Sequence, residues 1–347
     1  MTEKLKIGMI GCGEIAFKST AKAIQASRNA EMVIGMDTIA EVASSFGETY
    51  DVPHTTEVDD VLSHPDVEAV VISAPHFLHE PLTVQAARAG KHVMCEKPIA
   101  CTLEQADRMI AACRDAGVLL SINLMTRYSA QTEKAKELVD AGAVGRIIGL
   151  QFHVMADKPE SYWTGGYTGR VKTDWRMSRE KSGGGVLVMN LIHDMDRFRY
   201  ITGLEAVRAF AEFDTFCTDT EVEDYVSATY RYDNGAIGSV TAASCARGGV
   251  AHGNRITGTD GQILFERREL KVFTRKENIG LKPGEWNTVP MPEEDYPVQR
   301  YVERFADAVS SNQQPDIPGE EGRKALELVV AAYRSGENHS MVEIPLS

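Results

Sequence analysis

Positive charge is in deficit in this chain. Lysine and arginine number 37 against 50 aspartates and glutamates, for a formal charge of −13. Binding a phosphate backbone needs concentrated Lys and Arg, so a nucleic-acid partner is not expected. The short basic pair Arg267-Arg268 sits among acidic residues and reads as a solvated face. No uncharged run approaches the length of a bilayer span, and no membrane partner is expected. The six cysteines, Cys12, Cys95, Cys101, Cys113, Cys217 and Cys245, include no CxxC pair. Neither a metal site nor a disulfide framework is therefore indicated. Low-complexity tracts and internal repeats are also missing. The opening Met1–Lys6 runs straight into a strand pattern and lacks the apolar core of a signal peptide, so the expected setting is reducing cytoplasm. What remains is an ordinary globular composition, 43% apolar and 25% charged over 347 residues, long for one domain and comfortable for two.

The first third alternates strand and helix patterns. Strands are expected at Leu5–Ile10, Met32–Met36, Ala69–Ser73, His92–Cys95 and Val118–Ile122. Helices are expected at Glu14–Ala26, Ile39–Phe46, Leu78–Ala89 and Leu103–Ala116, with Gly90 and Gly117 as stops. Unbroken apolar strands at this pitch mean a doubly wound parallel sheet. After about Asn123 strands dominate, at Ile147–Met155, Ala206–Phe216, Val222–Tyr232, Gly235–Ser244, Arg255–Thr259 and Gln262–Phe265. Asp233-Asn234-Gly235 is a hairpin turn, so the second sheet is expected to be mostly antiparallel, an open-sheet α+β domain. Helices are expected at Ser129–Ala141, Val186–Ile201, Tyr296–Ser310 and Glu320–Arg334. The expected domains are thus residues 1–123 and 124–347.

Gly11-Cys12-Gly13-Glu14-Ile15-Ala16 follows the first strand and opens the first helix, a GxGxx(G/A) turn in the setting that dinucleotide binding requires. Gly11 permits the turn, Gly13 lets the backbone approach a pyrophosphate, and Ala16 lets helix and strand pack closely. The phosphates would rest on the free N–H groups of the helix start. Asp37, about 20 residues further on at the end of the second strand, suits ribose hydroxyls and repels a 2′-phosphate. NAD is preferred, with NADP left open; Asp37 can also cap the helix that follows. Ser73, Pro75, His76 and His79 lie at the exit of another strand on the same sheet edge. So does Glu96-Lys97-Pro98, where Pro98 ends the strand and biases Lys97 toward an extended backbone. A lysine there can meet cofactor and substrate together.

Taken together these residues resemble the glucose–fructose oxidoreductase/inositol dehydrogenase (Gfo/Idh/MocA) family. The resemblance is carried by Gly11–Ala16, Ala69–His79, Ala89–Pro98, Lys134–Gly145, Gly183-Gly184-Gly185 with His193 and Asp196, and Gly319–Arg334. It implies an NAD(P)-binding first domain and a second domain forming the substrate pocket and an oligomer interface, hence a homodimer or homotetramer. It also implies that Lys97 and His193 are catalytic. Carbinol oxidation needs a proton acceptor, which an ordinary histidine supplies at neutral pH, while Lys97 would orient the hydroxyl and stabilise alkoxide charge.

One position departs from the family pattern. Met189 stands where many members carry an aspartate, four residues before the histidine. Asn190 replaces it as a hydroxyl ligand sharing part of the His193 face at 100° per residue. Asp196 either orients the imidazole or caps a loop. Trp163, Trp175 and Arg176, in an aromatic, glycine-rich stretch, are expected to line the pocket together with Arg127. The reading is an NAD-dependent dehydrogenase acting on a CH–OH group of a sugar, anhydrosugar or inositol-type polyol. The alternatives are a nucleotide-sugar oxidoreductase and a non-catalytic NAD-binding sugar sensor.

Overall fold

The computed structural model describes residues 3–250, 253–277 and 279–346. The chain divides into two compact units, each discontinuous in sequence. The first gathers Met1–Met125, Pro159–Gly183 and Val298–Leu326; the second gathers Thr126–Lys158, Gly184–Pro297 and Glu327–Ser347. The sequence alone predicts a single boundary between 123 and 124. The structure differs because two later segments return to the first unit, where their hydrogen-bond partners are.

In the first unit β1 (Leu5–Ile10), β2 (Ala30–Met36), β3 (His54–Thr55), β4 (Ala69–Ile72), β5 (His92–Cys95) and β6 (Leu120–Ile122) form one sheet. Its order is β3-β2-β1-β4-β5-β6 and every pairing is parallel. All of β4 and nearly all of β1 are buried, as the unbroken apolar runs require. Strand order reverses between β1 and β4, so their carboxyl ends form the switch-point crevice where ligands bind in such sheets. The helix Leu103–Ala116 has the bounds its sequence signals state, with a capping box between Thr102 and Gln105 and a left-handed Gly117 at its end. The first helix is less regular: within it, Ala16–Thr20 widens into a π turn before Ala21–Ala26.

In the second unit β7 (Ile147–Met155), β8 (Ala206–Asp214), β9 (Tyr225–Tyr232), β10 (Ile237–Ala243), β11 (Arg255–Gly258), β12 (Gly261–Phe265), β13 (Glu269–Thr274), β14 (Trp286–Pro290) and β15 (Val342–Glu343) form the second sheet. Its order is β14-β13-β12-β11-β7-β10-β9-β8-β15, antiparallel except where β10 runs beside β7. Along β9 and β10 residues alternate between buried and more exposed, so one face meets the core and the other is open. On the inner face Phe152 stacks on Phe198 of the helix Ile192–Thr202, ring centroids 4.8 Å apart. Among the described residues no helix is long and apolar enough to cross a membrane.

Candidate active site

The glycine turn leaves β1 as its sequence demands. Gly11 takes a φ of +89°, and a Cβ there would lie 2.5 Å from the Ser73 carbonyl oxygen at the exit of β4. Around Gly13 the reverse holds: a Cβ would meet nothing within 4 Å. An open cradle beside a helix start, at the switch point, fits a dinucleotide pyrophosphate. Ala16 is buried against the strand, Ile15 is exposed, and Glu14 accepts from Lys18 Nζ and from the Tyr167 N–H.

Asp37 closes the turn from below. Its Oδ2 accepts from the Cys12 N–H at 3.0 Å and its Oδ1 from the Ile39 N–H at 3.0 Å. One carboxylate therefore ties the glycine turn to the start of the helix Ala40–Tyr50. A carboxylate offers about four acceptor positions, so capacity for ribose hydroxyls remains.

Lys97 follows β5 at the same edge, half-buried, in a cis peptide with Pro98. Burial holds its ammonium down to about 8, Glu96 raises it, and the Arg176 guanidinium lowers it. Glu96 accepts from Asn123 Nδ2 at 2.7 Å, and burial raises its pKa above the usual carboxylate value. Two histidines brace this corner. His79 is fully buried, with ring nitrogens 2.8 Å from the Pro98 carbonyl and 3.0 Å from that of Ala74. It acts as a strut between the exits of β4 and β5. His76, just past Pro75, lies 2.7 Å through Nδ1 from the Ser182 carbonyl. A carbonyl only accepts, so Nδ1 carries the proton, and burial pushes the pKa of His76 well below the ordinary value.

The segment Pro159–Gly183 lies on this unit. Trp175 packs on His76 with centroids 4.4 Å apart, and Arg176 covers Trp175 at 4.6 Å and Tyr162 at 5.2 Å. Trp163, expected to line a pocket, is 4% exposed and serves as packing. Arg170, which sequence reasoning missed, lies over the Phe17 ring at 3.8 Å and donates to the Cys12 carbonyl at 3.1 Å. The segment is thus a strap across the glycine turn.

In the second unit His193 is half-buried near the start of the helix Ile192–Thr202. The turn before it, Leu187–Leu191, is π-helical. The 100° step used to place Asn190 beside His193 therefore does not hold here, because a π turn takes more residues per revolution. What the wide turn does deliver is Asn190 to Lys158. The Lys158 ammonium, on a side chain only 4% exposed, donates to Asn190 Oδ1 at 2.6 Å. An ammonium has only donors, so the amide oxygen faces Lys158 and the NH₂ group is turned away from it.

The helix lead-in is held by Glu223. Its carboxylate accepts from the Gly185 N–H at 2.7 Å, the Leu187 N–H at 2.9 Å and the Tyr333 hydroxyl at 2.8 Å. This is negative charge at the positive end of a helix, while burial raises its pKa. A Cβ on Gly185 would collide with the Glu223 carbonyl oxygen. Arg127 and Asp196, named from the sequence as pocket and orienting residues, are bound to each other. Arg127 Nε donates to Oδ2 at 2.8 Å and Nη2 to Oδ1 at 2.5 Å, both residues buried. Neither Lys158 nor Glu223 carries a local motif, and the partners named here lie between 32 and 110 residues away.

Known proteins resemble this chain over nearly its whole length. Residues 5–124 match the model of the oxidoreductase family with an NAD-binding Rossmann fold, and residues 132–264 match the GFO/IDH/MocA C-terminal domain. The 1,5-anhydro-D-fructose reductase of Ensifer adhaerens is 30% identical, covering 97% of this chain and 98% of that protein. The myo-inositol 2-dehydrogenase of Thermotoga maritima is 27% identical over 98% of both. An aldose-aldose oxidoreductase of Caulobacter crescentus, solved with glycerol, superposes with a TM-score of 0.85 at 26% identity, covering 99% of this chain and all of that one. With its glycine turn at the switch point of a 3-2-1-4-5-6 sheet, the chain belongs to the Gfo/Idh/MocA family of NAD-binding oxidoreductases.

Proposed function

We propose that this protein is an NAD-dependent dehydrogenase of a secondary hydroxyl on a sugar, anhydrosugar or inositol-type polyol, with Lys97 and His193 as its catalytic residues. The observation that carries the reading is Lys97. It is an ammonium brought down to about 8 at the ligand edge of a dinucleotide-binding sheet, where a surface lysine would have no reason to be. The reductase and dehydrogenase relatives, which by name act on an anhydrosugar and a cyclitol, support the substrate class.

Bound NAD supplies the hydride acceptor. Gly11, Gly13, Glu14, Ile15 and Ala16 form the turn that would hold its pyrophosphate, and Asp37 the ribose end, with Ser73, Pro75, His76 and Glu96 along the same edge. His79 holds that edge in shape. Lys97 donates to the substrate oxygen and stabilises negative charge as the hydroxyl proton leaves. His193 accepts that proton. Asn190 donates its NH₂ to a neighbouring hydroxyl, its oxygen being held by Lys158. Trp175 and Arg176 flank the substrate from the strap.

The reaction would take place in cytoplasm. Ile148 and Ile237, 42% and 47% exposed on adjacent strands of the open sheet face, support a homodimer or homotetramer assembled through that face.

The test is NAD reduction over a panel of pyranoses, inositols and anhydrosugars, with NADP in parallel and with Lys97→Ala and His193→Ala. Activity on at least one polyol, lowered about 10²-fold or more by either change, is expected. Tight NAD binding with no turnover on any member would instead identify a non-catalytic sensor.

A further inference from the structure

Four of the six cysteines are dispersed: Cys12, Cys95 and Cys113 are buried and Cys101 is half-buried. The other two meet in the second unit. Cys217 is exposed in the loop between β8 and β9, and Cys245 lies two residues past β10. Both are anchored to Asp224. The Cys217 N–H donates to Asp224 Oδ2 at 2.7 Å, and the Cys245 thiol lies 3.9 Å from the Asp224 carbonyl oxygen. The β9–β10 pairing sets this up, since the Ser244 N–H donates to the same carbonyl at 2.8 Å. The two sulfurs and a carboxylate oxygen all lie within 4.8 Å of one another.

Such a cluster suits either a soft cation or thiol oxidation, and the lone pairs of Asp224 decide between them. A carboxylate has about four acceptor positions. Asp224 spends them on the N–H groups of Phe216 (2.9 Å), Cys217 (2.7 Å) and Thr218 (3.0 Å) and the Thr218 hydroxyl (3.2 Å), three on Oδ2 and one on Oδ1. It is a clamp for the loop, with at most one oxygen position over for a metal. Two sulfurs and that oxygen fall short of the four ligands that close a structural zinc site.

We propose that Cys217 and Cys245 are a reversible oxidation site that closes to a disulfide on exposure to a peroxide. The exposed Cys217 thiolate attacks a peroxide oxygen; the O–O bond breaks, leaving a sulfenic acid and hydroxide. The Cys245 sulfur then attacks the Cys217 sulfur. The S–O bond breaks, and the departing hydroxide takes the Cys245 proton as water. In sum two thiols lose two electrons and two protons, and one hydrogen peroxide becomes two waters. Cys217 rather than Cys245 takes the first step. Burial, then the neighbouring Cys217 and Asp224, keep the Cys245 proton on up to about 12. A dithiol reverses the bond by exchange.

The 347-residue chain is treated with a few equivalents of hydrogen peroxide, alkylated and digested with trypsin. Cleavage after Arg208, Arg231 and Arg247 puts the two cysteines on separate peptides. The expected product is one cross-linked pair, lighter than the sum of its parts by two hydrogens and abolished by dithiothreitol. Cys217→Ser should give no such pair, and Cys245→Ser should accumulate Cys217 as sulfinic acid. The wild-type peptide map stands by itself if either variant folds poorly. Wild-type Cys217 passing to sulfinic acid with no cross-linked peptide overturns the proposal. So does zinc retained by the reduced protein through dialysis and lost in Cys217→Ser.

Discussion

Lys158 and Asn190, 32 residues apart in sequence, meet as ammonium and amide oxygen at 2.6 Å within the second unit. Asn190 stands in the helix turn in which Met189 takes the place of the aspartate that many family members carry. A buried ammonium needs its acceptors, and a hydrogen bond to a charged group contributes about 1.5–3 kcal/mol. In urea unfolding, Lys158→Met, Asn190→Leu and the double variant should show coupling of that size, the double losing less than the sum of the singles. Additive losses would dissolve the pair as an energetic unit.

Asp37 does two jobs that substitution can separate. Asp37→Ser should relax the preference for NAD over NADP, because the charge that repels a 2′-phosphate is gone. It should also raise the KM for NAD by about tenfold, since the Cys12 N–H loses a charged acceptor and the glycine turn loosens. Steady-state kinetics with both cofactors measures each effect. Unchanged discrimination refutes the ribose role while leaving the turn-holding role intact.

Lys97 makes a pH prediction. Its ammonium is present below about 8 and lost above, so polyol oxidation should fall as pH rises through that value. The falling limb should vanish in Lys97→Ala; a rate that rises through 8 would mean the amine acts as a base. Stability has its own sign. Between about 8 and the ordinary 10.5 the unfolded chain keeps a proton the native state has shed, so this group's contribution to stability rises with pH. Lys97→Met should lack that rise.

The Arg127–Asp196 pair is buried and bidentate, so removing Arg127 takes both short hydrogen bonds from the carboxylate and leaves it with Arg199 at 3.9 Å among its neighbours. Arg127→Met should cost about 3–5 kcal/mol in chemical denaturation. Retained stability would show that Asp196 takes up its proton or finds another donor.

These predictions divide along what the sequence could reveal. Residues with local signals were legible: Gly11 and Asp37 at strand ends, and the Gly117 stop. Lys97 was legible because a proline and a strand end frame it. Lys158, Glu223 and Arg170 were not, because each acts on groups distant in sequence and none has a periodic context. The π turn at Leu187–Leu191 was hidden by the straight-helix spacing assumed for it. Four strands were also missed. β3 and β15 are two residues each, too short for a pattern; β14 has no buried residue and so no apolar alternation, while β13 does alternate.

The edge of the nucleotide-binding sheet has a consequence for synthesis. β6 is its last strand, and the partner of β6 is made almost 200 residues later. The Ile122 N–H donates to the Ile317 carbonyl, the Ser121 hydroxyl donates to the same oxygen at 3.0 Å, and Gly322 packs against Ile122. A ribosome that has released residues 1–125 has therefore exported a sheet with an uncovered apolar flank. That flank stays open until the chain has been read past Ile317. The emerging chain must be kept from aggregating over this interval, and a chain truncated at the apparent end of the first domain inherits the same exposed edge permanently.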